Sequence, residues 1–374
     1  MLVTATVLSH YKMLIILLII STIVLLVDLI LIILWITSYK NAKDGINDTP
    51  FISILIAARN EEDNLADCLD SLVALDYSTD RYEILVGNDN SEDQTGEIAD
   101  AYEVRYPQIK SYTIYKQKIK GNGKANVLSQ LAHFANGTHY FITDADIIVP
   151  KKWIKSMLLG MNEDIALVTG TSVVVGSGFL AYMQQIDWLF ATGMLKVVSD
   201  MGIPVTTMGN NMLIRRDAYE DVGGFEAMPF SITEDLELFN HIKLKYKTVN
   251  IFTPDVLNKS KPVKSIAELL IQRKRWMKGA FELPPIMIGL LIVQTAFFLV
   301  LLVLFLINPT IAIIVLSIKF LLRFTFLSLV VRKLNDRVNI FGSLIFELYS
   351  SVFSVASLIY YFLSGPIEWK GRKY

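Results

Sequence analysis

Phe51–Glu62 reads FISILIAARNEE. An apolar, largely β-branched run passes straight into Arg59, Asn60, Glu61 and Glu62. A short, nearly continuous apolar run is what a strand buried on both faces of a parallel sheet requires. Its abrupt polar ending lies where such a sheet presents groups to a ligand. The pattern recurs downstream. Glu61–Ala74 carries Leu65, Cys68, Leu69 and Leu72 on one helical face, Tyr82–Val86 is a second strand, and Ser91 opens a helix with acids in its first turn. Ser111–Tyr115, Lys124–Phe134 and Tyr140–Thr143 follow as strand, helix and strand. Strands alternating with helices predict an α/β fold, a mostly parallel sheet covered on both faces.

Three of these strands end in polar groups: Ala57-Ala58-Arg59-Asn60-Glu61-Glu62, Asn88-Asp89-Asn90-Ser91-Glu92-Asp93 and Asp144-Ala145-Asp146. One such ending is an ordinary capped loop; three delivered to one sheet edge point to a site.

Outside this region the chain turns apolar. Of 374 residues 53% are hydrophobic and 19% charged, against ~25% charged in soluble domains. Met13–Thr37 holds a single charge, Asp28, and at ~1.5 Å per residue exceeds a ~30 Å hydrocarbon core. It is too long for the apolar part of a signal peptide and has no clear small-residue cleavage site, so it is read as an uncleaved anchor. Near the C-terminus, Ile286–Ile307 is uncharged, Thr310–Val331 contains Lys319 and Arg323 on one helix face, and Ile340–Leu363 contains Glu347. Lys40 and Lys43, then Arg273, Lys274, Arg275 and Lys278, then Arg332, Lys333 and Arg337 flank these segments and place the middle domain in the cytoplasm of a bacterial-type plasma membrane. Four full crossings would leave the basic tail (Trp369, Lys370, Arg372, Lys373) outside, so Thr310–Val331 is expected to be re-entrant or buried rather than crossing. The predicted divisions are an anchor over 1–40, a catalytic domain over 41–263, an interfacial amphipathic helix over 264–284 and a membrane region over 285–374.

Composition excludes other classes. The 35 Lys+Arg and 36 Asp+Glu give a net charge of -1, so this is no strongly basic nucleic-acid binder. Cys68 is the single cysteine, so no intrachain disulfide forms, and the histidines (His10, His133, His139, His241) are too scattered for a zinc site.

Asp144 and Asp146 flank one small residue after a buried strand and so point the same way, a hard-oxygen pair suited to Mg²⁺ or Mn²⁺. Gly121-Asn122-Gly123-Lys124 fails the Walker pattern because Ala125 stands where Ser or Thr is needed. Lys124 is either a cation near a ligand's phosphates or a solvated lysine after a turn. Thr233 is a candidate helix cap. Glu234 and Asp235 behind it are either a plain acidic cap or hold a general base kept ionised by the helix dipole. Gln272-Arg273-Lys274-Arg275-Trp276 lies on a basic amphipathic stretch, Lys264–Phe281, which by composition is an interfacial anchor. Gly178–Met201 carries Phe179, Met183, Ile186, Phe190, Met194, Val197 and Met201 at helical spacing, by default a core helix and alternatively one facing an acceptor or the membrane.

Taken in order, AARNEE, NDNSED, GNGKAN, TDADIIVP, GNNMLIRRDAYEDVGGF, TED and QRKRW resemble the family 2 glycosyltransferases over about Thr49–Gly279. The resemblance implies the GT-A fold (Rossmann-like, mostly parallel), a nucleotide-sugar donor, UDP by preference, a divalent metal and inversion at the anomeric carbon. It places Ala58, Arg59 and Glu61 in the nucleotide pocket and Asp89 at the base. Lys124 falls near the diphosphate, Asp144 at ribose or metal, Asp146 at the metal, and Asp235, with Glu234 beside it, as catalytic base. Gln272, Arg275 and Trp276 fall at the diphosphate and the acceptor entrance. The family often has two aspartates where Asn88-Asp89 stands and a proline where Ala57 stands. Q-x-x-R-W is typical of processive polysaccharide synthases and also occurs in enzymes that glycosylate lipids. The few membrane segments, and a tail resembling bacterial lipid-glycosylating members, favour single transfer to a membrane lipid over polymer synthesis. A non-catalytic nucleotide-sugar-binding protein on the same fold is the alternative of another class; no nucleic-acid partner is expected.

Overall fold

The computed structural model describes residues 2–41, 45–46, 48–281, 283–335, 342–366, 368–369 and 372–373. Lys43, Arg337, Ile340 and Lys370, used above to argue topology, lie outside them. The chain opens with helix α1 (Leu2–Ser38). The domain follows as β1 (Ile52–Ala58), α2 (Leu65–Val73), β2 (Tyr82–Asn88), α3 (Thr95–Arg105), β3 (Ile109–Thr113), α4 (Gly123–Phe134), β4 (His139–Asp144), β5 (Ile147–Ile148), α5 (Trp153–Leu158), β6 (Ile165–Thr169), β7 (Thr171–Val174), α6 (Phe179–Asp200), β8 (Met212–Arg215), α7 (Arg216–Asp221), α8 (Glu234–Lys243), β9 (Lys247–Asn250) and β10 (Leu257–Ser260). Next come α9 (Ile266–Ala280), α10 (Pro285–Ile307), α11 (Pro309–Lys333) and α12 (Ser343–Leu363), then the short strands β11 (Glu368–Trp369) and β12 (Arg372–Lys373).

Among the described residues, the main sheet has the order β3-β2-β1-β4-β8-β6-β9, and β5, β10 and β7 form a smaller one beside it. The pairings of β1 with β2 and β4, of β2 with β3 and of β6 with β9 are parallel; among the described strands of the main sheet β8 alone runs against its neighbours. Both faces of β1 are buried, which explains its unbroken apolar run. Ile54 and Ile56 share a core with Cys68, Leu69 and Leu72 of α2, while Leu55 turns to Leu128 and Leu131 of α4 and Leu238 of α8. Strand order changes direction between β1 and β4, so a crevice opens at their carboxyl ends.

Boundaries moved where local pattern competed with packing. The third strand is Ile109–Thr113, not Ser111–Tyr115, because buried Ile109 pairs with Ile84. The helix expected from Ser91 begins at Thr95, since Ser91 is used in the turn.

Among the described residues, four helical stretches are long and apolar enough to cross a membrane: Tyr11–Ser38, Pro285–Ile307, Pro309–Lys333 and Ile345–Leu363. α1, α10 and α11 pack into a bundle around Leu17, Val24, Phe297, Leu304, Ala312 and Val315. α11 is a continuous helix rather than a re-entrant turn, and Lys319 and Arg323 are buried in it, the other form the expectation allowed. Its cations need no escape from lipid because both are partnered. Lys319 lies 2.7 Å from Asp28 of α1 and donates to Gln294 of α10 at 2.7 Å, and Arg323 lies 3.5 Å from Glu347 of α12.

α12 packs against α10 and α11 of the bundle and also reaches back to the domain. Near its start, a Cβ on Gly342 would strike Tyr182 of α6, and Phe179 meets Tyr349 edge-on. Past its end, Lys274 of α9 donates to the Ser364 hydroxyl at 2.6 Å and carbonyl at 3.0 Å. Both ends of α12 therefore touch helices of the domain. α6 in turn joins the sheet to the bundle: Met183, Ile186 and Val197 share a core with Trp35 of α1, Phe326 and Val330 of α11 and Phe252 of the domain.

Candidate active site

The ends of β1 and β2 are stitched into one rim. Asp89 donates its N–H to the Ala58 carbonyl at 2.8 Å, and the Arg59 guanidinium donates to the Asp89 carbonyl at 2.7 Å. Asn60 and Asn90 turn the chain with φ of 52° and 50°, a left-handed geometry asparagine tolerates. Asn60 donates to the Ser91 hydroxyl and accepts from Glu92 N–H, both at 3.0 Å, while Glu61 N–H donates to the Thr95 hydroxyl at 2.7 Å. Asn88 accepts from Ser91 N–H at 3.0 Å. Its amide is thus occupied in building the turn, a physical reason why asparagine serves where the resembled family often has aspartate.

The central element is Lys124, in the first turn of α4. Asn122 caps that helix by accepting from Ala125 N–H at 2.8 Å, and donates through its other side-chain atom to Glu234 at 2.6 Å. Lys124 Nζ lies 2.5 Å from Asp144 and 3.2 Å from Glu234, with its side chain 14% exposed, so it is not a solvated turn lysine. Burial works against its charge, but Asp144, then Glu234 and Asp235, outweigh this and hold the ammonium above its usual range. Asp235 behaves unlike the dipole-held base expected from sequence. Burial, then the Glu234 charge, push it up to about 6, against the opposing pull of Lys124 and the Leu236 N–H. Thr233 makes no side-chain cap on α8. Gly209, just before β8, is what lets the Asp235 carboxylate approach, since a Cβ there would overlap it.

Asp146 faces the Ser260 hydroxyl of β10 at 3.4 Å. With Asp144 it offers two hard oxygen donors into the same cavity. That set fits Mg²⁺ or Mn²⁺, which keep waters and take further ligands from phosphates. Among the described residues no third His, Cys, Asp or Glu completes an all-protein cage.

α9 closes the opposite wall. Gly279 packs against Thr233 and Leu236 at the start of α8. Arg273 pairs with Asp187 of α6 and lies 4.7 Å from the Trp276 ring centroid; Trp276 meets Trp188 of α6 edge-on at 5.6 Å. Among the described residues, the buried Gln272 side-chain oxygen has no hydrogen-bond partner.

These walls enclose a cavity of about 1210 Å³. Ala58, Arg59, Glu61, Asp89, Lys124, Asp144, Asp146, Glu234, Asp235, Gln272, Arg275 and Trp276 all line it. Sequence reading missed three other contributors. Asp187 and Trp188 sit on a helix whose default reading was core, although its amphipathic pattern left an acceptor-facing role open. Arg372 reaches the cavity from the tail and pairs with Asp89; the basic character of the tail was its only signal.

The family model for Glycosyl transferase family 21 matches residues 13–374. A Bacillus subtilis protein named Probable glycosyltransferase YdaM is 29% identical over 246 residues, 63% of this chain and 57% of that one. A Synechocystis beta-monoglucosyldiacylglycerol synthase is 28% identical over 247 residues, 62% and 48% of the two chains. A Staphylococcus aureus poly-beta-1,6-N-acetyl-D-glucosamine synthase is 28% identical over 248 residues, 65% and 58%. The chain thus spans about half the length of these curated relatives. Among solved structures, the mannosyltransferase PcManGT from Pyrobaculum calidifontis, in complex with GDP-Man and Mn²⁺, superposes with a TM-score of 0.61 at 16% identity, covering 95% of this chain and 99% of that one. At that identity the likeness speaks for the fold. Because the family model spans nearly the whole sequence, the chain belongs to glycosyl transferase family 21.

Proposed function

We propose that this enzyme transfers a sugar from a nucleotide-sugar of the UDP-hexose or UDP-N-acetylhexosamine class to the head group of a membrane lipid, with inversion. The reach of the cavity carries this reading. Asp89, Asp144 and Asp235 line it, and so do Trp188, Trp276 and Leu283, the last two residues short of α10. One space joins the polar chemistry to the foot of an apolar helix, where a lipid head group projects.

In this reading Ala58, Arg59, Glu61 and Asp89 receive the nucleoside, and Lys124 and Arg275 lie toward the diphosphate. Asp144 and Asp146 would hold Mg²⁺ or Mn²⁺, which when bound neutralises charge on the leaving diphosphate. Glu234 is already engaged by Lys124 and Asn122, so Asp235 is the base that takes the acceptor's proton. The unpartnered Gln272 oxygen is suited to accept from a substrate hydroxyl. The domain and tail lie on the cytoplasmic side: α1, α10 and α11 cross, and α12 lies along the surface.

The polysaccharide-synthase relative supports a second reading, polymer synthesis. Against it, the bundle interior is filled by Val24, Phe297, Leu304 and the Asp28–Lys319 pair, leaving little room for a sugar chain. Incubating purified full-length enzyme with radiolabelled UDP-glucose or UDP-N-acetylglucosamine, Mn²⁺ and lipid vesicles separates the two. A lipid heavier by one sugar is expected. A ladder of long products favours the polymer reading, and no transfer from any nucleotide-sugar sinks both.

A further inference from the structure

Arg372 lies 283 residues from Asp89 in sequence, yet its Nη1 and Nη2 donate to the two Asp89 oxygens at 2.7 and 2.9 Å. This forked pairing is the geometry in which guanidinium and carboxylate match best. The pair is sheltered, with side-chain exposures of 10% for Asp89 and 32% for Arg372. It also fits tightly: a Cβ on Gly123 would overlap the guanidinium. The other end of the tail is held on α9, where Lys274 donates to the Ser364 hydroxyl and to the Ser364 and Gly365 carbonyls. The tail is therefore fastened to one wall of the cavity and hooks the acid at the opposite rim.

We propose that Arg372 is a built-in competitor of the donor at Asp89. This rests on Asp89 receiving the nucleobase, as proposed above. The fork engages both oxygens of that carboxylate on the side where the guanidinium packs against Gly123, so an imide N–H of a base approaching from that side must displace it. Donor binding and release of Arg372 are one event. The ion pair weakens the apparent donor affinity by the fraction of molecules in which the acid is free. The tail thus sets how much nucleotide-sugar the enzyme needs.

Calorimetric titration of the full chain in detergent with UDP and with GDP, each with Mn²⁺, tests this. Arg372→Ala should tighten binding of the preferred nucleotide about tenfold, the scale on which a sheltered pair shifts such an equilibrium. Arg372→Lys keeps the charge without the fork and should tighten it less. In an Asp89→Asn background, Arg372→Ala should bring no gain. A melting curve on each variant shows that it is folded, and Arg372→Lys alone carries the test if the alanine variant is not. Unchanged or weaker binding in the folded variants, with binding intact in the wild type, overturns the competitor and leaves the donor reading standing. If neither nucleotide binds the wild type or the variants, both fall.

Discussion

Burial and the neighbouring Glu234 charge raise Asp235 to about 6, so its ionisation spans the mildly acid range. In its proposed role as base it must be ionised, so the transfer rate should rise with pH up to about 6, roughly tenfold per unit below that, and flatten above it; a pH–rate profile under saturating donor shows the limb. Asp235→Asn should lower transfer by about 10²–10⁴-fold while nucleotide binding stays close to wild type, measured by turnover and calorimetry on one preparation. The stability sign runs the other way. The folded-state value is raised above the unfolded one, so protonation stabilises the fold and that contribution is lost as pH rises through about 6. The same Asp235→Asn variant should therefore melt above the wild type at pH 7.5. A base held against burial and Glu234 is destabilising, and the neutral amide relieves it. Asp146→Ala should abolish any Mn²⁺-dependent gain in nucleotide affinity. The polar residues at the strand ends were legible because each follows an apolar run that can only be a buried strand. Arg372 was not, because no local spacing announces a contact 283 residues away.

Among the elements, α12 is the one on which the proposed topology turns. Its apolar length reads as a span, but the exposed apolar residues Ile345, Leu348, Val352, Ile359 and Phe362 fall on one side of the helix. Tyr349 and Tyr360 turn the other way, toward Phe179 of α6 and Lys274 of α9. One exposed apolar stripe and contact with the domain at both ends are what the proposed surface-lying α12 requires. A cysteine at Gly365, where added atoms meet nothing, should thus react with a membrane-impermeant thiol reagent only after cells are opened, as should one at the exposed domain position Val104. Labelling of Gly365→Cys in intact cells would show that α12 crosses. The reversed direction of β8 was equally unreadable: strand direction is set by the connection before it, here α6 and the loop through Gly209, not by the strand's own four residues.

At the scale of the whole molecule, charge holds the membrane part together. Lys319 is 1% exposed and faces both Asp28 and Glu347, while Glu347 also faces Arg323. Two acids and two bases from three helices balance, so removing one leaves its partner stranded in an apolar setting. Asp28→Leu should cost about 3–5 kcal/mol, and adding Lys319→Met should restore much of it, because Glu347 and Arg323 still balance. Thermal melts of the three proteins in one detergent check the order. Sequence pattern placed these four residues in apolar segments but gave no partners, since pairing depends on how the helices are rotated against each other.

If the acceptor is a membrane lipid, as proposed, the reach of the cavity to Leu283 has a kinetic consequence. A substrate that slides in sideways from the leaflet is searched for in two dimensions, so diluting the vesicles in buffer should hardly alter its supply, whereas diluting it among inert lipids should slow the enzyme in proportion.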